Sequence, residues 1–184
     1  MGRFRTARSK AVALTAVFIA VGAVGRIGID SVAMLAPLPV YGVLIKIGLT
    51  ETLTFIDGYA LGSISGFLTG SSIIVISDMA TIPGAWTPFI AMIIGAIGII
   101  GGIIRRFVRE PNAKTMGILA VLLTLMSESL QNAWVALFYN LPFLATMLAG
   151  LPTLAAALAN NVVLFTALAG RIIKVITDSS VNSS

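Results

Sequence analysis

Arg105-Arg106-Phe107-Val108-Arg109-Glu110-Pro111-Asn112-Ala113-Lys114 carries four of the chain's twelve basic residues and separates two long apolar runs, 86–106 and 115–138. Each run is long enough for a spanning helix, which takes about 20 mostly apolar residues. Moving outward, four more apolar segments lie at 11–28, 50–63, 64–80 and 152–173. Two further basic clusters flank them: Arg3, Arg5, Arg8 and Lys10 before the first, Arg171 and Lys174 at the end of the last. With six crossings all three clusters fall on one side, ten of the twelve basic residues, and only Arg26 and Lys46 fall on the other. Short cytoplasmic loops collect Lys and Arg in this way. A seventh crossing within 27–49 would set the central cluster opposite the N-terminal arm. The expectation is therefore an all-α polytopic membrane protein with six transmembrane helices and both termini cytoplasmic. The 27–49 stretch, bent by Pro37 and Pro39, becomes an apolar outer loop between the first two spans. This divides the chain into a basic arm (1–10), one transmembrane domain (11–176) and a polar tail (177–184).

Composition narrows the function. Of 184 residues, 58% are hydrophobic and 10% charged, against about 25% charged in a soluble domain. Zero Cys excludes disulfides, thiolate metal sites and Cys nucleophiles; zero His removes the usual base near neutral pH. No cofactor or metal is expected, and a nucleic-acid role for the short basic arm is disfavoured because it runs straight into lipid-phase sequence.

Small residues recur at helical spacing: Ala16 and Ala20 in the first span, Gly62 at the end of the second followed by Gly66 and Gly70 in the third, Gly95, Gly98, Gly101 and Gly102 in the fourth. Four-residue spacing lets helix backbones approach closely. The glycines read as packing inside the bundle; the alanines form a small-residue groove suited to a membrane partner.

Polar residues also lie at membrane depth. At about 100° per residue, Thr124, Glu128, Gln131 and Asn132 share one face of the fifth span, with Ser127 at its edge. An ionisable group there marks a functional site by default. Glu128 lies about 15 Å below the outer end of its span, and Asn160 and Asn161 about 12–14 Å below the start of the sixth, at 1.5 Å per residue. Two polar clusters at one depth read as a shared outer-half cavity, the alternative being hydrogen bonds between the helices alone. Asp57 reads either as a further pocket group or as an interface charge.

The loop Ser77-Asp78 through Gly84-Ala85-Trp86-Thr87-Pro88 places Pro88 where a helix can begin and Trp86 at interface depth. With Gly58-Tyr-Ala-Leu-Gly62, Gly66-Phe67-Leu68-Thr69-Gly70 and Gly95, Gly98 and Gly102, this stretch of about 45 residues resembles the substrate-binding S components of energy-coupling-factor (ECF) vitamin transporters. In a common branch of that family the loop reads G-P-W-T-P; here Ala85 replaces the proline, Phe89 a Trp and Ile90 a Gln. The resemblance implies a six-helix binder in the plasma membrane that captures a vitamin-like molecule from outside. It implies as partners a transmembrane coupling subunit and two cytoplasmic ATPases. Ala16 and Ala20 match the family's A-x-x-x-A docking positions on the first helix.

On this reading the chain is no enzyme. Glu128 anchors the ligand, Ser127, Gln131, Asn132, Asn160 and Asn161 read its polar edges, and Trp86 and Trp134 stack on a ring. Two other classes compete: an integral-membrane enzyme using Glu128, and a channel or assembly subunit without ligand.

Overall fold

The computed structural model describes residues 2–33, 47–108 and 112–181, and every element among them is helical. The helices are α1 (Gly2–Ala33), α2 (Leu49–Leu61), α3 (Ser63–Ala80), α4 (Thr87–Ile104), α5 (Ala113–Phe138), α6 (Phe143–Ala149), α7 (Leu151–Leu164) and α8 (Gly170–Val181). A π-helical turn, Phe165–Ala169, joins the last two. Among the described residues, five helices are long and apolar enough to cross a membrane: Ser9–Val32 within α1, α3, α4, α5, and Leu151–Thr177 across α7 and α8. Their outward side chains are apolar, as at Val24 (71% exposed) and Ile64 (79%), the surface a bilayer accepts.

Three boundaries differ from the sequence expectation. The first helix does not stop at residue 28 but runs to Ala33, since no proline occurs before Pro37. Arg26 and Asp30, four apart on it, form an ion pair at 3.5 Å. The remainder of the expected loop, 34–46 with Pro37, Pro39, Gly42 and Lys46, lies outside the described residues. The second expected span is α2, whose 13 residues measure only about 20 Å at 1.5 Å per residue, short of a hydrocarbon core of about 30 Å. At the C-terminus the helix continues through Val181, past the expected start of the polar tail at Thr177.

Helix α2 is short because it is central. Ten of its thirteen residues are buried, with Phe55, Ile56 and Tyr59 almost fully so. It turns into α3 through Gly62 alone, whose φ of 115° an L side chain rarely adopts. Below that turn α2, α3 and α4 meet backbone to backbone. A Cβ on Gly58 would lie 2.0 Å from the Gly98 carbonyl oxygen, one on Gly66 2.5 Å from the Gly58 Cα, and one on Gly98 2.2 Å from the Gly66 carbonyl carbon. The glycine ladder expected to pack the bundle interior does so at this crossing.

Asp57 is fully buried beside it and takes neither expected role. Ser65 and Thr69 donate to its Oδ2 at 2.8 Å, and Thr15 donates to Oδ1 at 3.3 Å. Thr15 and Ser65 also share a hydrogen bond. The carboxylate is solvated by hydroxyls from α1 and α3, the compensation a buried charge requires. At the far end of α2, Arg105 Nη1 donates to the Ala60 carbonyl at 2.6 Å, a cation placed on a helix C-terminus. Helix α5 starts at Asn112, whose side chain accepts from the Thr115 N–H at 2.8 Å, an N-cap.

The glycine crossing generates a test. Gly98→Ala should cost about 1–3 kcal/mol of stability, read as a melting temperature lower by about 2–4 °C per kcal/mol in detergent. Gly28→Ala, where an added Cβ meets nothing within 4 Å, should melt like wild type. Equal melting of the two variants would refute the backbone contact.

Candidate functional site

Above the N-terminus of α2, at the end of the bundle where α1 and α3 finish and α4 begins, lies a cavity of about 420 Å³. It fills the space that the short α2 leaves between its longer neighbours. Its polar wall is built outward from Arg26. Arg26 Nη2 donates to Asp78 Oδ1 at 2.8 Å, and Arg26 Nε lies 3.5 Å from Asp30 Oδ2. The other Asp78 oxygen accepts from Thr87 Oγ1 at 2.7 Å, and Thr87 Oγ1 accepts from the Gly84 N–H at 3.2 Å. One chain of charge-assisted hydrogen bonds thus runs from α1 through the last turn of α3 to the start of α4. Such bonds are roughly twice as strong as neutral ones. Asp78 is almost fully buried and Arg26 about one quarter exposed. Removing Arg26 would leave the Asp78 carboxylate buried without a counter-ion, which is strongly destabilising; removing Asp78 leaves Arg26 partly exposed and still beside Asp30.

The local sequence explains the loop. Pro88 opens α4 as expected, and the Thr87 N–H donates to the Gly84 carbonyl at 3.0 Å. The Trp86 ring folds back over Gly84, where an added Cβ would lie 2.4 Å from the ring. Trp86 then forms part of the cavity wall with Thr50 and Glu51 of α2 and Gln131 of α5.

A second cavity of about 190 Å³ adjoins the first and shares Trp86, Ile90 and Gln131 with it. Its remaining wall is largely aromatic: Phe89, Trp134 and Tyr139. Phe89 and Trp134 stack with ring centroids 5.6 Å apart, and Trp134 stacks on Phe138 at 4.8 Å, offset geometries that aromatic pairs favour.

Of the eight residues that the sequence nominates for binding, Trp86, Gln131 and Trp134 line these cavities. The others lie elsewhere. Ser127, Glu128 and Asn161 are buried between helices, and Asn161 Nδ2 donates to Thr124 Oγ1 at 2.8 Å. The Asn161 carboxamide also packs against Gly48, where an added Cβ would fall 1.3 Å from Oδ1. Asn132 packs against Gly150 between α6 and α7, and Asn160 is half-buried. Thr124 of α5 and Asn161 of α7 are therefore joined by a direct hydrogen bond, the alternative to the shared outer-half cavity that their matching depth suggested, and Glu128, Asn160 and Asn161 line neither of the two cavities described. Ala16 and Ala20 are exposed on α1, on the face opposite Phe18.

Sequence reasoning gave no site role to Asp30, Asp78 or Thr87. The i, i+4 pair Arg26 and Asp30 inside an apolar run was a readable signal, since two charges at that spacing face one another on a helix. Nothing in the sequence pairs Arg26 with Asp78, 52 positions away. Besides Glu128, Asp30 and Asp78 also lie within long helices, α1 and α3. Comparison with protein-family models, with curated proteins and with solved structures found no match.

The ion pair can be measured. Arg26→Met, which strips the buried Asp78 of its counter-ion, should lower the melting temperature by several degrees, on the scale of the about 3–5 kcal/mol of a broken buried pair; Asp78→Leu, which leaves Arg26 beside Asp30, should lower it less. The double variant should melt no lower than the worse single variant, a coupling that a double-mutant cycle reads directly. Additive losses would show that the two side chains do not act on each other.

Proposed function

We propose that this chain is the membrane-embedded binding subunit of an uptake system, of the kind the ECF S components exemplify. It would capture a vitamin-like small molecule, while partner ATPases and a transmembrane coupling subunit supply the energy and the path. The observation that carries this reading is the cavity of about 420 Å³ at one end of the bundle. Ligand sites measure about 300–1,000 Å³ and combine apolar and aromatic walls with a few fixed polar groups. Here Ile29, Ile74 and Trp86 provide the first, and Arg26, Asp30 and Gln131 the second.

In this reading α2 is the second of six crossings, shortened because it borders the cavity rather than lipid along its upper edge. The basic clusters then sit on the cytoplasmic side of the plasma membrane, and the cavity opens outward. The exposed Ala16 and Ala20 give α1 a surface without bulk, on which a coupling subunit's helix packs closely.

Two measurements test the proposal. Mass spectrometry of protein purified in mild detergent should find one copurifying small molecule, depleted about tenfold or more by Trp86→Ala, in keeping with a loss of about 1.4 kcal/mol or more. A wild-type sample as empty as the variant would sink the binding role. Ala16→Trp should abolish copurification with the coupling subunit while the small molecule is retained; undiminished copurification would remove the docking face from the proposal.

A further inference from the structure

The charges around the cavity limit what it can hold. Among the described residues, Arg26 is the single cation in its wall, against the carboxylates Asp30, Glu51 and Asp78. Glu51 lies in the first turn of α2, where a negative charge answers the helix N-terminus, so it is left out of the balance. The remainder is one guanidinium shared by two carboxylates. Asp78 has both oxygens occupied, Oδ1 by Arg26 and Oδ2 by Thr87. Asp30 differs. It touches Arg26 only at 3.5 Å, longer than a normal N–H···O hydrogen bond of about 2.7–3.2 Å. Its side chain is about one fifth exposed at the cavity wall, so its carboxylate keeps acceptor capacity and an uncancelled share of negative charge. Among the described residues, an anion entering here would meet Arg26 flanked by two carboxylates, two negative groups to one positive.

The adjoining cavity supplies a second, independent preference. Trp86, Phe89, Trp134 and Tyr139 form most of its wall. Aromatic faces carry negative quadrupole potential and attract cations within about 6 Å of the ring centroid, Trp most strongly. They also accept flat rings by stacking. Trp86 borders both spaces, so a ligand spanning them passes from carboxylate to aromatic wall without a change of preferred charge.

We propose that the two joined cavities select an organic cation bearing a flat ring. The positive group is held by Asp30, and the ring lies against Trp86 and Trp134. This inference rests on the binding reading above and adds the ligand's charge class to it.

Trp86 and Trp134 are the chain's two tryptophans, and both line the site, so intrinsic fluorescence reports occupancy without a label. Three probes of nearly one shape differ in charge: 1-methylnicotinamide is cationic, nicotinamide neutral and nicotinate anionic. Titrated into the purified full-length protein, 1-methylnicotinamide should give saturable quenching at a concentration at least about tenfold below either of the others, the scale of a partly desolvated charge contact. Asp30→Asn should erase that tenfold preference, bringing 1-methylnicotinamide to the level of nicotinamide. If Asp30→Asn does not fold, Trp134→Leu carries the test and should weaken the cation by about tenfold.

Saturable binding of nicotinamide or nicotinate as tight as that of the cation overturns the charge assignment and leaves the binding role standing. So does a copurifying molecule that is anionic at neutral pH. Absence of saturable quenching by all three probes overturns the assignment too, and the mass-spectrometric measurement then judges the binding role separately.

Discussion

The contact of Gly58, Gly66 and Gly98 sets the dimensions of everything around it. Three helices cross with their backbones touching, at distances that leave no room for a methyl group on any of the three. In a bilayer, where apolar side chains gain nothing by leaving lipid, close backbone approach and the dispersion contacts it brings are a principal source of helix association. The crossing holds α2 in the middle of the bundle and buries it on nearly all sides. A helix so enclosed need not match the bilayer thickness. Its early start at Leu49 leaves the space that the cavity occupies.

A space at the end of a bundle would close unless its walls were held. At this end the holding is electrostatic. Arg26, Asp78 and Thr87 join α1, α3 and α4 through a path of two hydrogen bonds, while Asp57 and its three hydroxyl donors join α1 to α2 and α3 further down. Asp57 and Asp78 are each matched by donors from other helices, which low-dielectric surroundings demand. The same low dielectric sharpens the preference of any group left with spare capacity, and Asp30 is that group in the cavity wall. On the proposed reading, structural stability and ligand charge are linked through one guanidinium.

Much of the fold was legible in local pattern. The apolar runs gave helices close to α3, α4, α5 and α7, the glycine spacing gave the tight interior packing, and Pro88 marked the start of α4. Two proline residues at 37 and 39 drew the expected loop back to 27, although nothing before Ala33 breaks a helix. The site was less legible. Depth along a helix can be read from sequence, and Thr124 and Asn161 do meet. Which face of the bundle encloses space depends on how helices distant in sequence are arranged. Asp78 sat in a stretch rich in signals, Pro83, Gly84, Trp86 and Pro88, yet its partner Arg26 is 52 residues away and no periodicity connects them. Asp57 has the same difficulty, its donors coming from positions 15, 65 and 69.

The structure also divides as the basic stretch at 105–114 suggested. Helices α1 to α4 pack closely on one another through glycines and ion pairs, while α5 meets α4 more sparsely and chiefly packs on α7. The cavities straddle this seam: Arg26, Asp30 and Asp78 lie on one side, Gln131 and Trp134 on the other. Across it, near the cavities, the stacked rings of Phe89 and Trp134 are in contact. Rings slide over one another at less cost than backbones held at van der Waals distance or a buried ion pair. The charged wall is therefore the fixed part of the site and the aromatic wall the adjustable one. On the binding reading proposed above, such a division would set the position of the ligand's charge by the rigid half of the bundle and leave its ring to the half that can shift.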